Sequence, residues 1–174
     1  ELLASVRGDR ARWVNMALNN AEHSLNSYNN TRQGYSDRLQ SLVVALGLDE
    51  TPERIECFDI SHTSGESTVA SCVVFGMEGP LKSDYRRFNI RDIQPGDDYA
   101  AMQQALNRRY LRLKEGEAPL PDILFIDGGK GQLSAAAETL EELMISGVML
   151  VGVAKGADRR AGMEQLFLLA EDQP

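Results

Sequence analysis

Apolar side chains in the first third of the chain recur at helical spacing. One such run extends from Asp9 to about Ser27, and a second from about Ser36 to Leu46. The polar stretch SYNNTRQGYS between the two runs is rich in turn-forming residues. The pattern therefore predicts a helical leader of two helices within residues 1–50, which the segment LDETPE separates from the rest.

From Arg54 the pattern changes to that of strands. The runs RIECFDI, STVASCVVFG and KSDYRRFNI, with turn residues between them, predict three antiparallel strands. The stretch DDYAAMQQALNRRYLRLKEG predicts a helix, with two acids at its favoured N-terminal end. PDILFID and VMLVGVA are continuous apolar runs typical of a buried parallel sheet, and QLSAAAETLEELMIS between them predicts a helix. The order β-β-β-α-β-α-β over residues 54–174 predicts an α/β domain with a mixed sheet flanked by helices.

Composition narrows the class of protein. The 174 residues are 43% hydrophobic and 25% charged, as in ordinary globular proteins. No run approaches the ~18 apolar residues of a membrane span, and the N-terminus lacks the features of a signal peptide. Cys57 and Cys72 are both flanked by apolar residues and supply too few ligands for a zinc site. These features predict a cytoplasmic protein with reduced thiols and no membrane partner.

The charge is −8, which excludes a protein that holds nucleic acid by bulk electrostatics alone. One segment, residues 81–115, is basic, with eight Lys and Arg residues against five Asp and Glu. Arg86 and Arg87 lie on a predicted strand and are candidate DNA contacts. Arg108, Arg109 and Arg112 of the following helix are expected to form a solvated face paired with acids.

Two aspartates end predicted buried strands, Asp59 in CFDIS and Asp127 in FIDGG. A right-handed crossover allows the first and fourth strands to lie parallel side by side, with their carboxyl ends ~4.8 Å apart at one rim. Two carboxylates there repel each other unless a cation such as Mg²⁺ or Mn²⁺ lies between them, and such a cation suits phosphodiester chemistry. Each aspartate alone is equally explained as a cap, but the pair favours a metal site.

The loop GGKG after Asp127 is a candidate phosphate contact. It is not a P-loop, because Lys130 is not followed by Ser or Thr. Glycines allow the backbone to approach an anion at a helix N-terminus, and the lysine adds a positive charge. A tight turn that needs glycine for positive φ explains the glycines equally well. The candidate contacts are Gly128, Gly129 and Lys130, joined at the same rim by Lys155, Arg159 and Arg160 after the last predicted strand.

His62 follows Asp59 by three residues in a predicted turn. Three roles are open to it, which are orienting the loop, binding a metal and capping. His23 lies on the polar side of the leader and is expected to have no functional role.

Five motifs, in this order, resemble those of a known family: ECFDISHTSGESTVASCVVF, GPLKSDYRRFNI, PGDDYAAM, ILFIDGGKGQL and VAKGADRRAG. They closely resemble the C-terminal endonuclease half of UvrC, the incision subunit of bacterial nucleotide excision repair. The similarity covers about residues 54–166 and is weaker through the leader. It implies an RNase H-like fold, which agrees with the predicted element order, and a divalent-metal endonuclease that cuts damaged DNA 5′ to a lesion.

In that family two aspartates and a histidine hold the metal. The resemblance places the aspartates at Asp59 and Asp127, with Mg²⁺ or Mn²⁺ as cofactor, and Asp98 at a further acidic position associated with incision. The family histidine lies beyond Pro174, and His62 does not match it. The implied partners are damaged double-stranded DNA and the UvrB–DNA pre-incision complex, within the response to DNA damage that includes the SOS response.

Two other functions compete with this one. The family's 3′ nuclease, UvrB-binding segment and helix-hairpin-helix module are not in this sequence, so the chain is expected to be a C-terminally truncated fragment. A non-catalytic scaffold that binds DNA and partners is therefore the main alternative. An actin-like ATPase also has strand-end aspartates and glycine turns, but it needs a duplicated domain that 174 residues do not contain.

Overall fold

The computed structural model describes residues 7–63, 67–94, 96–154 and 164–168. The chain divides into two units, the first ending at Asp49 and the second beginning at Glu50. None of the described helices is both long and apolar enough to cross a lipid bilayer.

The first unit is one 38-residue helix, α1 (Asp9–Leu46), which ends at Gly47 in the left-handed conformation. The predicted break at SYNNTRQGYS is wrong, because the helix continues through it. Polar residues there bond within the helix, as when the Thr31 hydroxyl donates to the Ser27 carbonyl at 2.8 Å. Such residues lower helix propensity by less than about 1 kcal/mol each, which is too little to end a long helix.

The second unit is built on a seven-stranded mixed sheet with the order β3-β2-β1-β5-β6-β7, in which β4 also pairs with β2. The β1–β5 and β5–β6 pairs are parallel and the other pairs are antiparallel. The strands are β1 (Arg54–Thr63), β2 (Ser67–Gly76), β3 (Gly79–Pro80), β4 (Arg86–Asn89), β5 (Ile123–Asp127), β6 (Met149–Ala154) and β7 (Gln165–Leu168).

The element order agrees with the sequence pattern, apart from two additions. The predicted third strand is shorter than expected, because a 3₁₀ turn (Lys82–Asp84) occupies its first third and leaves β4 as the strand. The two-residue β3 and the final β7 were not predicted. β3 and β7 are short strands at the two ends of the strand order, and so few residues leave little periodicity to detect.

Two helices, α2 (Asp98–Lys114) and α3 (Lys130–Glu142), pack on one face of the sheet. Asp97 caps α2 by accepting from the Ala100 amide at 2.9 Å. Alternate residues of the central strands, among them Phe58 and Ile126, join the helices in one apolar core. The remaining alternate positions project from the opposite face of the sheet.

A fully buried carboxylate, Glu56, lies within the helix-covered face of β1. Arg109 of α2 donates to it at 2.7 Å and is itself only 1% exposed. The expectation that Arg109 belongs to a solvated face is therefore wrong, because Glu56 requires a cation in the core. Burial acts to lower the pKa of Arg109, but the hydrogen bond and charge of Glu56 outweigh it and raise that pKa.

The ion pairs extend from this centre to the surface. Arg54 bridges Glu56 at 3.1 Å and Asp84 at 2.8 Å. Glu117 accepts from Arg109 at 3.3 Å and from Arg86 at 2.7 Å. The hydrogen bond from Arg54 is the main cause of a lowered pKa at Asp84, and that from Arg86 is the main cause at Glu117.

Replacing the buried arginine is expected to destabilise the protein strongly. Arg109→Met leaves Glu56 charged and poorly paired in the core, which costs roughly 3–5 kcal/mol of unfolding free energy. Urea denaturation followed by circular dichroism measures this loss. The control Arg112→Met changes an exposed arginine of the same helix and is expected to shift stability by less than about 0.5 kcal/mol. Equal losses in the two variants would contradict the assignment.

Acid is expected to weaken the same network. The pKa values of Asp84 and Glu117 lie below their unfolded values of 3.8 and 4.5, so their contribution is complete above those values. It disappears as the pH falls through the lower folded pKa values. Unfolding free energies measured from pH 7 to pH 3 should therefore fall less steeply in Asp84→Asn and Glu117→Gln, whereas the exposed Asp49→Asn should follow the parent curve.

Candidate metal centre and nucleic-acid interface

Asp59 and Asp127 lie directly opposite each other in the parallel β1–β5 ladder. Their strands are therefore neighbours, about 4.8 Å apart, and both side chains leave the same face of the sheet. Both residues are half-buried, and the Ser61 hydroxyl donates to Asp59 Oδ2 at 2.8 Å. The structure thus brings the two aspartates together, as the strand pattern predicted. Only Asp127 ends its strand, however, because β1 continues past Asp59 to Thr63 and stays paired with β2. The predicted strand end at Asp59 and the predicted turn at His62 are therefore wrong.

The row that contains the aspartates continues across the sheet. Ser71 of β2 lies opposite Asp59, and Arg87 of β4 lies opposite Ser71. These pairings place Arg87 on the same face of the sheet as the carboxylates, two strands from Asp59. Its side chain is exposed. Sequence reasoning named Arg87 but missed Ser71. That serine is identified only by the register of the β1–β2 hairpin, and the sequence of the turn does not specify that register.

Cys57 lies beside the two aspartates on this face, and its pKa responds to their charges. It precedes Asp59 by two residues on β1 and is half-buried. Burial, followed by the negative charges of Asp127 and Asp59, raises the pKa of its thiol to about 11. Cys57 therefore lies on the same face as both aspartates, close enough for their charges to disfavour its thiolate.

Asp98 has different neighbours. Its Oδ1 is hydrogen-bonded to His62 Nε2, and its Oδ2 accepts from Gln132 Nε2 at 3.2 Å. His62 Nδ1 lies 3.1 Å from the Thr68 hydroxyl. The N-cap residue of α2 is Asp97, so the side chain of Asp98 is not needed for capping and makes these contacts instead. Of the three roles open to His62, its contacts in the structure correspond to orientation.

The glycine loop is shaped by a side chain and not by unusual backbone angles. Gly128, Gly129 and Gly131 are not among the residues with positive φ, so the turn explanation is wrong. A Cβ at Gly128 would lie 1.7 Å from Gln132 Oε1, whereas one at Gly129 would meet nothing within 4 Å. Gln132 Oε1 accepts from the Gly129 amide at 3.0 Å, the reciprocal half of a capping box. Gln132 is a residue that sequence reasoning did not single out.

The predicted basic contacts differ in their surroundings. Arg86 is engaged with Glu117 and with the carbonyls of Ser83 and Tyr85. Lys130 is exposed at the first position of α3, with its Nζ 5.8 Å from the centre of the Phe167 ring. Three further predicted contacts lie outside the described residues: Lys155, Arg159 and Arg160.

Two carboxylates are all the ionisable oxygen ligands that the described site offers. Within the described ranges no group of three or more His, Cys, Asp or Glu side chains is arranged to hold a metal ion. Paired carboxylates at a sheet rim are nevertheless the hard oxygen donors that Mg²⁺ and Mn²⁺ accept, usually completed by water.

Residues 44–174 match the model of a protein family described as the UvrC RNase H endonuclease domain. The chain belongs to this family. The family confirms the RNase H-like fold expected from the order of strands and helices, and it confirms the resemblance found in the sequence motifs.

Curated relatives extend the match through most of the chain. A protein of Alkalilimnicola ehrlichii named UvrABC system protein C is 63% identical over 168 residues, which is 97% of this chain and 28% of that protein. A protein of the same name from Pseudomonas putida strain W619 is 61% identical, over 94% of this chain and 27% of that protein. The chain thus spans a little over a quarter of the length of these relatives.

Solved structures of other nucleases show weaker likeness. The catalytic domain of human Endonuclease V is 21% identical with a TM-score of 0.48, over 81% of this chain and 63% of that one. Ciona intestinalis Endonuclease V, in complex with a 24mer DNA containing an inosine, is 15% identical with a TM-score of 0.47, over 78% of this chain and 59% of that one.

Proposed function

We propose that this chain is the metal-dependent nuclease unit that makes the 5′ incision beside a lesion in nucleotide excision repair. The observation that carries the proposal is the register of Asp59 against Asp127 on adjacent parallel strands. Membership of the UvrC endonuclease family supports the reaction class. The site of incision, the metal and the partners are proposals, because the chain spans 28% of its curated relative.

The donor set suits Mg²⁺ or Mn²⁺. Asp59 and Asp127 would hold the ion between them, since two adjacent carboxylates in a half-buried site repel each other unless a cation reduces that repulsion. When bound, the ion supplies an activated water and stabilises charge developing on the scissile phosphate. Ser61 restrains Asp59 by donating to one of its oxygens, which leaves the other oxygen available.

The charge pattern supports a phosphate backbone as the occupant of this rim of the sheet. Arg87 is exposed in the same row as the aspartates. Lys130 begins α3, where the helix dipole is already positive. A lysine at that end is unfavourable by itself and becomes favourable when an anion binds there. The amides of Gly128 and Gly129 already donate to the Val153 carbonyl and to Gln132, so they do not support the predicted phosphate contact. The basic residues of VAKGADRRAG stay a prediction.

Damaged double-stranded DNA and the UvrB–DNA complex are the proposed partners, acting in the cytoplasm where bacterial DNA resides. The name of the relatives, a component of the UvrABC system, supports this choice. With a charge of −8, the chain is expected to bind DNA weakly by itself. The pre-incision complex would then supply most of the affinity.

Metal binding is expected to depend on the aspartate pair. Isothermal titration of Mn²⁺ into the chain should give one class of site that Asp59→Asn and Asp127→Asn each abolish, since either change removes one charged ligand. Asp92→Asn, an isosteric change at an exposed loop position, should bind Mn²⁺ as the parent does. Binding that survives both site substitutions would place the metal elsewhere. The scaffold alternative predicts no dependence on either aspartate.

The 5′ incision is expected to require the same pair. We would exchange this chain into the Alkalilimnicola ehrlichii relative, to which it is 63% identical, and follow both incisions of a lesion-bearing duplex with UvrA, UvrB and Mg²⁺. Asp59→Asn should lower the 5′ incision rate by roughly 10³-fold or more, the scale of losing a metal's Lewis-acid contribution of several kcal/mol.

The 3′ incision serves as the internal control of that experiment. The resemblance assigns it to a different domain, so it should proceed at the parent rate in the Asp59→Asn chimera and report intact assembly. Asp92→Asn should leave both incisions unchanged. A 5′ incision that continues normally in Asp59→Asn would refute the proposed function.

A further inference from the structure

A continuous series of hydrogen bonds joins four elements beneath the rim. It begins at Thr68 of β2, passes through His62 of β1 to Asp98 at the start of α2, and continues through Gln132 of α3. It ends at the backbone amide of Gly129, two residues after Asp127. The series lies among side chains that the proposed chemistry does not use.

Donor and acceptor roles in this series are mutually consistent. A charged Asp98 only accepts, so His62 must carry its proton on Nε2 and Gln132 must present its NH₂ group. The Gln132 carbonyl oxygen then accepts from the Gly129 N–H. Both oxygens of Asp98 have partners from the protein, one from each neighbouring element.

The loop has no room for a side chain at the point where Gln132 folds back. A Cβ at Gly128 would lie 1.7 Å from Gln132 Oε1 and 2.4 Å from its Cδ. The glycine is therefore required by the position of this carboxamide, since Gly128 has no positive φ to explain it. Gln132 thus packs on the peptide that directly follows Asp127.

We propose that His62 and Gln132 are positioning residues for the 5′ incision, which hold Asp98 and fix the Gly128–Gly129 loop behind Asp127. The inference rests on the proposed function, and it assigns to these two side chains no contact with metal or DNA. His62 orients Asp98 from β1, and Gln132 carries that orientation into the loop. The carboxylate of Asp127 then keeps its place opposite Asp59 because the backbone after it is restrained.

The test uses the same chimera and compares 5′ and 3′ incision. His62→Ala and Gln132→Ala should each lower the maximal 5′ rate by roughly tenfold or more, as the loss of a supporting hydrogen-bond partner does at other metal sites. The half-saturating concentration of damaged duplex and the 3′ rate should change by less than about twofold, because binding and assembly do not use these residues. A merely structural defect would move all three.

Conservative variants distinguish the positioning role of the hydrogen bonds from the effect of side-chain volume. His62→Gln places a carboxamide N–H near the former Nε2 and should recover most of the 5′ rate, whereas Gln132→Leu keeps the volume without the bonds and should behave as Gln132→Ala. His23→Ala and Gln40→Ala, both exposed on α1, are matched controls that should cut as the parent does. Failure of His62→Gln to exceed His62→Ala would overturn the role of the histidine.

A double-mutant cycle tests the loop contact. Gly128→Ala should reduce 5′ incision to about the level of Gln132→Ala, because the new methyl displaces the carboxamide. In the Gln132→Ala background the same change should have much less effect, giving clear non-additivity. Additive losses would overturn the contact. If Asp59→Asn loses 5′ cutting while His62→Ala and Gln132→Ala cut normally, the inference fails and the proposed function stands.

Discussion

The second unit depends on how the protein neutralises Glu56, a carboxylate with no exposed surface near the start of β1. Such a charge is tolerated only with a close cation and saturated hydrogen bonds, so Arg109 fixes α2 over β1 at that point. His62 lies six residues after Glu56, about 20 Å further along β1, and contacts Asp98 of α2. Asp98 precedes Arg109 by eleven residues, or about 16 Å along the helix. Helix and strand therefore run antiparallel and are joined near both ends. Few of the possible helix placements satisfy both contacts at once.

The position of β1 explains why the charged groups of the rim form a row. The strand pairs with β2 on one side and β5 on the other, so its register sets both neighbours of Asp59. A shift of one residue in either ladder would move a whole strand's side chains to the other face. The apolar residues on the helix-covered face, such as Phe58 and Ile126, resist that shift because it would expose them. Core packing on one face thereby fixes the geometry of the carboxylates on the other.

Sequence predicted the parallel pairing of β1 with β5 and the meeting of Asp59 with Asp127, because apolar runs and crossover handedness are local or general properties. It did not predict the burial of Arg109. The segment LNRRYLRLK marks each arginine alike as polar, and the choice among them depends on Glu56, 53 residues earlier. The leader break was wrong because propensity is a weak term in a long helix. Gly128 was attributed to backbone angles, whereas its cause is the side chain of Gln132, which folds back on the start of α3 as half of a capping box. That pattern is local in the sequence, but it was not considered at this loop.

The peptide after Asp127 is where the two faces of the sheet act on each other. Asp127 belongs to the row of charges, while the next two residues belong to the network of the helix-covered face. Gly128 donates to the Val153 carbonyl at 2.9 Å, and Gly129 donates to Gln132 at 3.0 Å, so β6 and α3 both restrain the segment. On a flexible backbone, repulsion between the two negative charges on neighbouring strands would move them apart, and this restraint opposes that movement. Under the proposed function, a backbone held from several sides would keep the two carboxylates in place for a divalent cation, and stabilisation arranged before binding requires no reorganisation during the reaction.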